Sequence, residues 1–278
     1  TLPGRLGDRT LDQQMMGLGW LFANCRNNTV LDLGCAEGLL SIARKIPTAT
    51  FHVIDSDVSE SYNRALDTTY SDLENVIVHR VEFDDFMDMF RTVERVAPQV
   101  AEGDWLVVDS MTVPWSAVQS WFITQVHGME EDDYFLEVRK AKKEANAKKG
   151  TPLAPFEGFM DWPVINKRYN RFTSLVFKTK GHLYITAEAA AISDMDDRET
   201  KQLFGSDGVK PAGQKRLGHM PSTVLLAGRT RADEYQLTTI KDRNRDKLER
   251  EPVDTFADGY LKKIAGWKTK PVRAGAGE

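Results

Sequence analysis

Val30-Leu31-Asp32-Leu33-Gly34-Cys35-Ala36-Glu37-Gly38, and after it Phe51-His52-Val53-Ile54-Asp55-Ser56-Asp57, are the two stretches that decide the fold. Each is a short apolar, β-branched run that ends in acidic residues. The residues between them carry helical spacing from Leu39 to Lys45, and Pro47 stops that helix. Strand, glycine turn, helix and second strand make a first βαβ unit of the kind that holds a nucleoside. The glycines let the backbone approach a ligand. A carboxylate roughly twenty residues after the first glycine accepts hydrogen bonds from ribose hydroxyls.

The chain has 278 residues, 41% hydrophobic and 28% charged, which is enough apolar material for one large α/β core. A net charge of −4 gives no global pull toward nucleic acid, so any such contact must come from a local patch. Two cysteines, Cys25 and Cys35, are too few for a disulfide framework or a four-cysteine zinc site. With no signal-peptide pattern and no run near the roughly 20 apolar residues of a membrane span, the expectation is a cytoplasmic protein without a membrane partner.

Outward from the first unit, an amphipathic helix is expected over 11–25. Strands are expected over 29–33, 51–54, 76–81, 105–108, 182–186, 223–227 and 235–240. Helices are expected over 83–96, 113–126 and 161–177. Residues 139–150, rich in lysine and alanine, read as an exposed helix end running into a loop. The polar 194–208 reads as a loop, and 268–278 as a disordered tail. The pattern predicts a single three-layer α/β domain over 1–267, Rossmann-like or RecA-like, with a mostly parallel sheet and a late antiparallel hairpin.

Leu31-Asp32-Leu33-Gly34-Cys35-Ala36-Glu37-Gly38, with Gly4-Arg5-Leu6-Gly7-Asp8 and the helix after it, resembles the opening of class I S-adenosylmethionine-dependent methyltransferases. The resemblance covers about residues 1–45. It implies S-adenosylmethionine as cofactor, with Gly34 and Gly38 passing close to its methionine part, Asp32 near its amino end and Asp55 on the ribose, with Asp57 beside it.

Residues 46–267 resemble another group, the phage-type RecA-like P-loop ATPases of DNA metabolism. The resemblance rests on Trp105-Leu106-Val107-Val108-Asp109-Ser110, Trp162-Pro163-Val164-Ile165-Asn166, Leu183-Tyr184-Ile185-Thr186-Ala187-Glu188, Gly208 to Lys215 and Lys241-Asp242-Arg243. It implies ATP with magnesium, held through water by Asp109, and Glu188 near the attacking water. Lys241 and Arg243 would reach a neighbouring subunit's phosphate in a homo-oligomer. Single-stranded DNA or recombination and replication proteins are the implied partners, in the cytoplasm of a bacterial host.

The first turn departs from the ATPase pattern, which needs Gly-x-x-x-x-Gly-Lys-Ser/Thr. Here Leu39 and Leu40 follow Gly38, and Glu37 sets a negative charge where phosphates would lie. The expectation is therefore a RecA-like nucleotide-binding protein with a degenerate phosphate loop. A methyltransferase is the alternative, and a non-enzymatic DNA- or partner-binding remnant the second alternative. Sheet order separates the two main readings. A RecA-like sheet sets the Asp109 strand beside the glycine-turn strand. A methyltransferase sheet sets a late antiparallel strand beside its fifth strand, inside the edge.

The five histidines are scattered without metal spacing. Asp84, Asp85 and Asp88 read as the acidic first turn of a helix. The cations of 139–149 read as a solvated face, with a nucleic-acid contact as the functional alternative. Trp115, Trp121 and Trp162 are expected in the core.

Overall fold

The computed structural model describes residues 19–21, 29–30, 36–56, 60–146, 160–229, 235–243 and 252–253. The helix α1 (Ala36–Lys45) leads into β3 (Phe51–Asp55), after two short strands, β1 (Gly19–Leu21) and β2 (Thr29–Val30). Then follow α2 (Ser61–Leu66), β4 (Val76–Arg80), α3 (Phe86–Val96), β5 (Trp105–Asp109), α4 (Thr112–His127), α5 (Glu131–Asn146), α6 (Asp161–Phe177) and β6 (His182–Ile185). The remaining described elements are β7 (Ala189–Ala191), α7 (Arg198–Phe204), β8 (Val209–Pro211), β9 (Thr223–Arg229), β10 (Tyr235–Asp242) and β11 (Pro252–Val253).

The central sheet runs β2-β6-β5-β3-β4, and every pairing in it is parallel. Its inner strands β3, β5 and β6 are largely buried on both faces, as a sheet covered on both sides requires, while β4 at the edge is half-buried. Phe51, Val53, Trp105, Val107 and Tyr184 face the core shared with α1 and α2. Ile54, Leu106, Val108, Leu183 and Ile185 face the core filled by α3, α4 and α6. That is the expected three-layer α/β fold. The expected late hairpin is also present, with β9 antiparallel to β10 in a second sheet of order β1-β9-β10-β11. Val224 and Ile240 join one core, and Leu225, Ala227 and Leu237 the other, so both layers continue over this hairpin.

Four local expectations change. Gly19–Leu21 is a strand, where the periodicity of 11–25 suggested helix. Gly19 is a poor helix former, and Trp20 and Leu21 pair instead with Leu226 and Leu225. The segment 194–208 contains α7 rather than only loop. Asp197 accepts the Thr200 N–H at 2.7 Å, and Thr200 and Phe204, one turn apart, are buried. The helix expected from 83 starts at Phe86, because Asp85 accepts the Met87 and Asp88 N–H groups as its cap. The fourth change is in strand order. β6 lies between β5 and β2, so the Asp109 strand is not beside β2. Nor is the hairpin hydrogen-bonded beside β6 among the described residues. Neither family's expected neighbour relation is met.

The helix expectation over 161–177 matches α6, and Trp115 stacks on Trp162 with ring centroids 6.1 Å apart against the core. Among the described residues no helix is long and apolar enough to cross a membrane.

Candidate functional site

Parallel strands end together, and ligands of open α/β sheets bind at that carboxyl edge. Here the edge is built from Asp55 and Ser56 after β3, Arg80 to Asp84 after β4, Asp109 and Ser110 after β5, and Thr186 after β6. Register puts Asp55 directly opposite Asp109 on the neighbouring strand. Both are buried, Asp55 at 1% exposure and Asp109 at 7%. A buried carboxylate needs hydrogen-bond donors, and the fold supplies them to Asp109. The Tyr62 hydroxyl donates to Oδ2 at 2.9 Å, and the Thr186 hydroxyl donates to Oδ1 at 2.5 Å. The Ser56 amide and hydroxyl both donate to the Asp109 carbonyl at 2.8 Å, and the Ser110 N–H donates to the Ser56 hydroxyl at 3.1 Å. The loops after β3, β5 and β6 are thus tied into one unit.

Beside Asp55 a cleft of about 480 Å³ opens between the ends of β3 and β4. It is lined by Ser56, Arg80, Val81, Glu82, Phe83, Asp84 and Asp88. Its volume suits a nucleoside-sized ligand. The lining holds three carboxylates and one cation, and that cation, Arg80, is already paired with Glu60 at 2.6 Å. Phe83 is half exposed, at 51%, and presents a ring to this space. A larger groove of about 790 Å³ over α3 to α5 meets the cleft at Asp84 and is lined by further acids and by Phe86, Trp121 and Phe135. Ser56 and Arg80, at the ends of β3 and β4, line the smaller cleft and not this groove, so the smaller cleft is the better site for chemistry.

Glu188, exposed just beyond β6, belongs to the same edge. Its N–H donates to the Thr112 hydroxyl at 3.0 Å, that hydroxyl donates to the Ala212 carbonyl, and the Ala212 N–H returns to the Glu188 carbonyl at 2.7 Å. Asp55, Asp109 and Glu188 are therefore gathered at one edge. Lys241 and Arg243 gather elsewhere. Both donate to the His219 carbonyl, at 3.0 and 2.9 Å. Burial, helped by the Arg243 charge, pulls Lys241 down to about 7. Gly38 is buried in α1, and its carbonyl accepts the Ser41 hydroxyl at 2.8 Å. Asp32, Gly34 and Asp57 lie outside the described residues, as do Cys25, Cys35 and the tail from Lys268.

Tyr62, Ser56 and the Glu82-Phe83-Asp84 lining are the site residues that sequence reasoning missed. Tyr62 sits on α2, too short to show a period, and meets Asp109 across 47 positions of chain. The lining did leave a signal, because Glu82-Phe83-Asp84 directly follows the third apolar run. No group of three metal-ligating side chains converges among the described residues. Tyr62 and Thr186 donate to the two Asp109 oxygens, the atoms through which the expected water-mediated contact to magnesium would run.

Comparison of the chain with protein families, curated proteins and solved structures returns no match.

Proposed function

We propose that this chain is a methyltransferase that binds S-adenosylmethionine with its nucleoside at the carboxyl ends of β3 and β4. The observation that carries the reading is the acid-lined cleft beside buried Asp55. The resemblance assigns the ribose hydroxyls to Asp55, which is buried behind the lining residue Ser56 and reaches them when the cleft opens around the ligand; Phe83 offers a ring face to the purine, and Glu82, Asp84 and Asp88 favour a ligand without phosphates. The bound sulfonium supplies an electrophilic methyl group. Glu188 is the candidate to take the proton that the methyl acceptor loses, and the Asp109–Tyr62–Thr186 network holds the floor of the edge in shape.

Magnesium–ATP suits the same edge poorly. Each like-charge pair at about 4 Å opposes binding by roughly 1–4 kcal/mol, and a triphosphate brings several charges toward three carboxylates. The two positions after Gly38, where a phosphate loop needs lysine and a hydroxyl, are Leu39 and Leu40, each 0% exposed in the core beneath α1. A paired calorimetric titration tests the reading. The expected result is binding of S-adenosylmethionine in the micromolar range and no heat from magnesium–ATP. Micromolar ATP binding with no response to S-adenosylmethionine overturns it.

A further inference from the structure

The turn between β8 and β9 begins at the candidate site. Ala212 is its first residue, held by Glu188 and Thr112. Gly213 follows at φ +126°, with the Met111 carbonyl and the Trp115 Cβ each 3.8 Å from where a Cβ would stand. The turn therefore springs from the strand edge that carries Asp109. Its shape is fixed from within. The Gln214 amide donates to Asn166 at 3.3 Å and its carbonyl accepts the Arg216 N–H at 2.7 Å. Leu217 is buried, and Gly218 packs so closely on Phe204 that a Cβ would lie 2.6 Å from its ring.

What this rigid turn presents is positive. Residues 211–223 contain no acid, and Lys215 and Arg216 are exposed. Lys241 and Arg243 come from the end of β10 and brace the turn from its other side through the His219 carbonyl. Asp242 between them is buried at 7% exposure. None of the four cations has a carboxylate partner among the described residues, and the nearby Asp197 is committed to capping α7. Lys215, Arg216 and Arg243 are therefore three exposed cations around a pre-shaped turn, in a chain whose net charge is −4, while Lys241 is half-buried, pulled down to about 7 and serves as a brace.

We infer that the turn of residues 212–219, with Arg243 beside it, binds the phosphate backbone of a nucleic-acid strand, and that this strand is the methyl acceptor. The second half rests on the methyltransferase reading. A row of cations attracts a polyanion by releasing the counterions condensed on it. Phosphates seated on this turn lead the strand toward Ala212, and so to the edge with Glu188 and Asp109.

The test is fluorescence anisotropy of the full chain with labelled single-stranded RNA and DNA 20-mers over a salt series. With three contacts of about 0.7 counterions each, the log–log salt slope is expected to be about −2. Lys215→Glu with Arg216→Glu should weaken binding tenfold or more. Lys215→Gln and Arg243→Gln should each flatten the slope by about 0.7. Lys178→Glu with Lys180→Glu, at the opposite end of the sheet, should leave both affinity and slope unchanged. Melting curves of each variant report folding. No binding at 20 mM salt, an equal loss from the Lys178/Lys180 pair, or equal charge-dependent binding to anionic lipid vesicles overturns the nucleic-acid surface. The same variants titrated with S-adenosylmethionine separate the two claims. Oligonucleotide binding without cofactor binding sinks the methyltransferase reading and leaves the surface standing. Cofactor binding without oligonucleotide binding does the reverse.

Discussion

Removing the Tyr62 hydroxyl probes whether the buried Asp109 carboxylate is held as the geometry requires. Tyr62→Phe keeps the ring, which is 0% exposed in the core beneath α1 and α2, and deletes one donor at 2.9 Å. A hydrogen bond to a charged group contributes about 1.5–3 kcal/mol, and the carboxylate stays buried when the donor is lost. Thr186→Val removes the donor on the other oxygen and should cost a similar amount. For a chain of this size, about 2 kcal/mol lowers the melting temperature by roughly 4–8 °C. Urea denaturation of the two single variants, the double variant and the same set on Asp109→Ala gives the coupling. On Asp109→Ala, Tyr62→Phe should cost less than about 0.5 kcal/mol, because its acceptor is gone, and the difference between backgrounds should exceed about 1 kcal/mol. Equal losses in both backgrounds would show that Tyr62 stabilises by packing alone and refute the network.

Gly181→Ala should destabilise strongly, because its Cβ would lie 2.4 Å from the Asp104 carbonyl oxygen and 2.7 Å from that of Ala101, and backbone cannot move aside as a side chain can. A denaturant midpoint within error of the parent contradicts this. Burial pulls His182 down to about 4, from 6.5 when unfolded, so the fold favours the neutral ring. That contribution is whole above pH 6.5 and is lost as pH falls from 6.5 through 4, on the order of 3 kcal/mol in all. His182→Leu should flatten the pH dependence of stability between 6.5 and 4.5, and unchanged slopes would be the contrary result. Asp197→Ala removes the cap of α7 and should lower stability by about 0.5–2 kcal/mol, read by urea denaturation, with no loss if that helix does not depend on its cap.

The layers were legible because burial on both faces leaves a plain mark. Trp105 to Val108 is a continuous apolar run, Phe51 to Ile54 is one broken only by His52, and Ile165, Tyr169, Phe172 and Val176 keep helical spacing along α6. Strand order was not legible. One buried parallel strand reads much like another, and the side that β6 takes beside β5 is set by packing over long separations. Gly19–Leu21 shows the same limit at small scale, since its pairing with β9 lies some 200 positions away in sequence. At the site, Asp55, Asp109 and Glu188 were found as acids after apolar runs. Tyr62 and Thr186 matter through contacts with Asp109, and no local pattern records a contact. Lys241 and Arg243 were visible as cations, but only the shared His219 carbonyl shows that they brace the 212–219 turn.

The central claim, a nucleoside cofactor held beside Asp55 at the ends of β3 and β4, is tested most directly by hydrogen exchange with and without S-adenosylmethionine. Protection is expected in peptides spanning 55–56 and 80–88, and Asp55→Ala should abolish it while leaving exchange in α6 unchanged. Protection that spares both segments, or that appears there with magnesium–ATP and not with S-adenosylmethionine, contradicts the account.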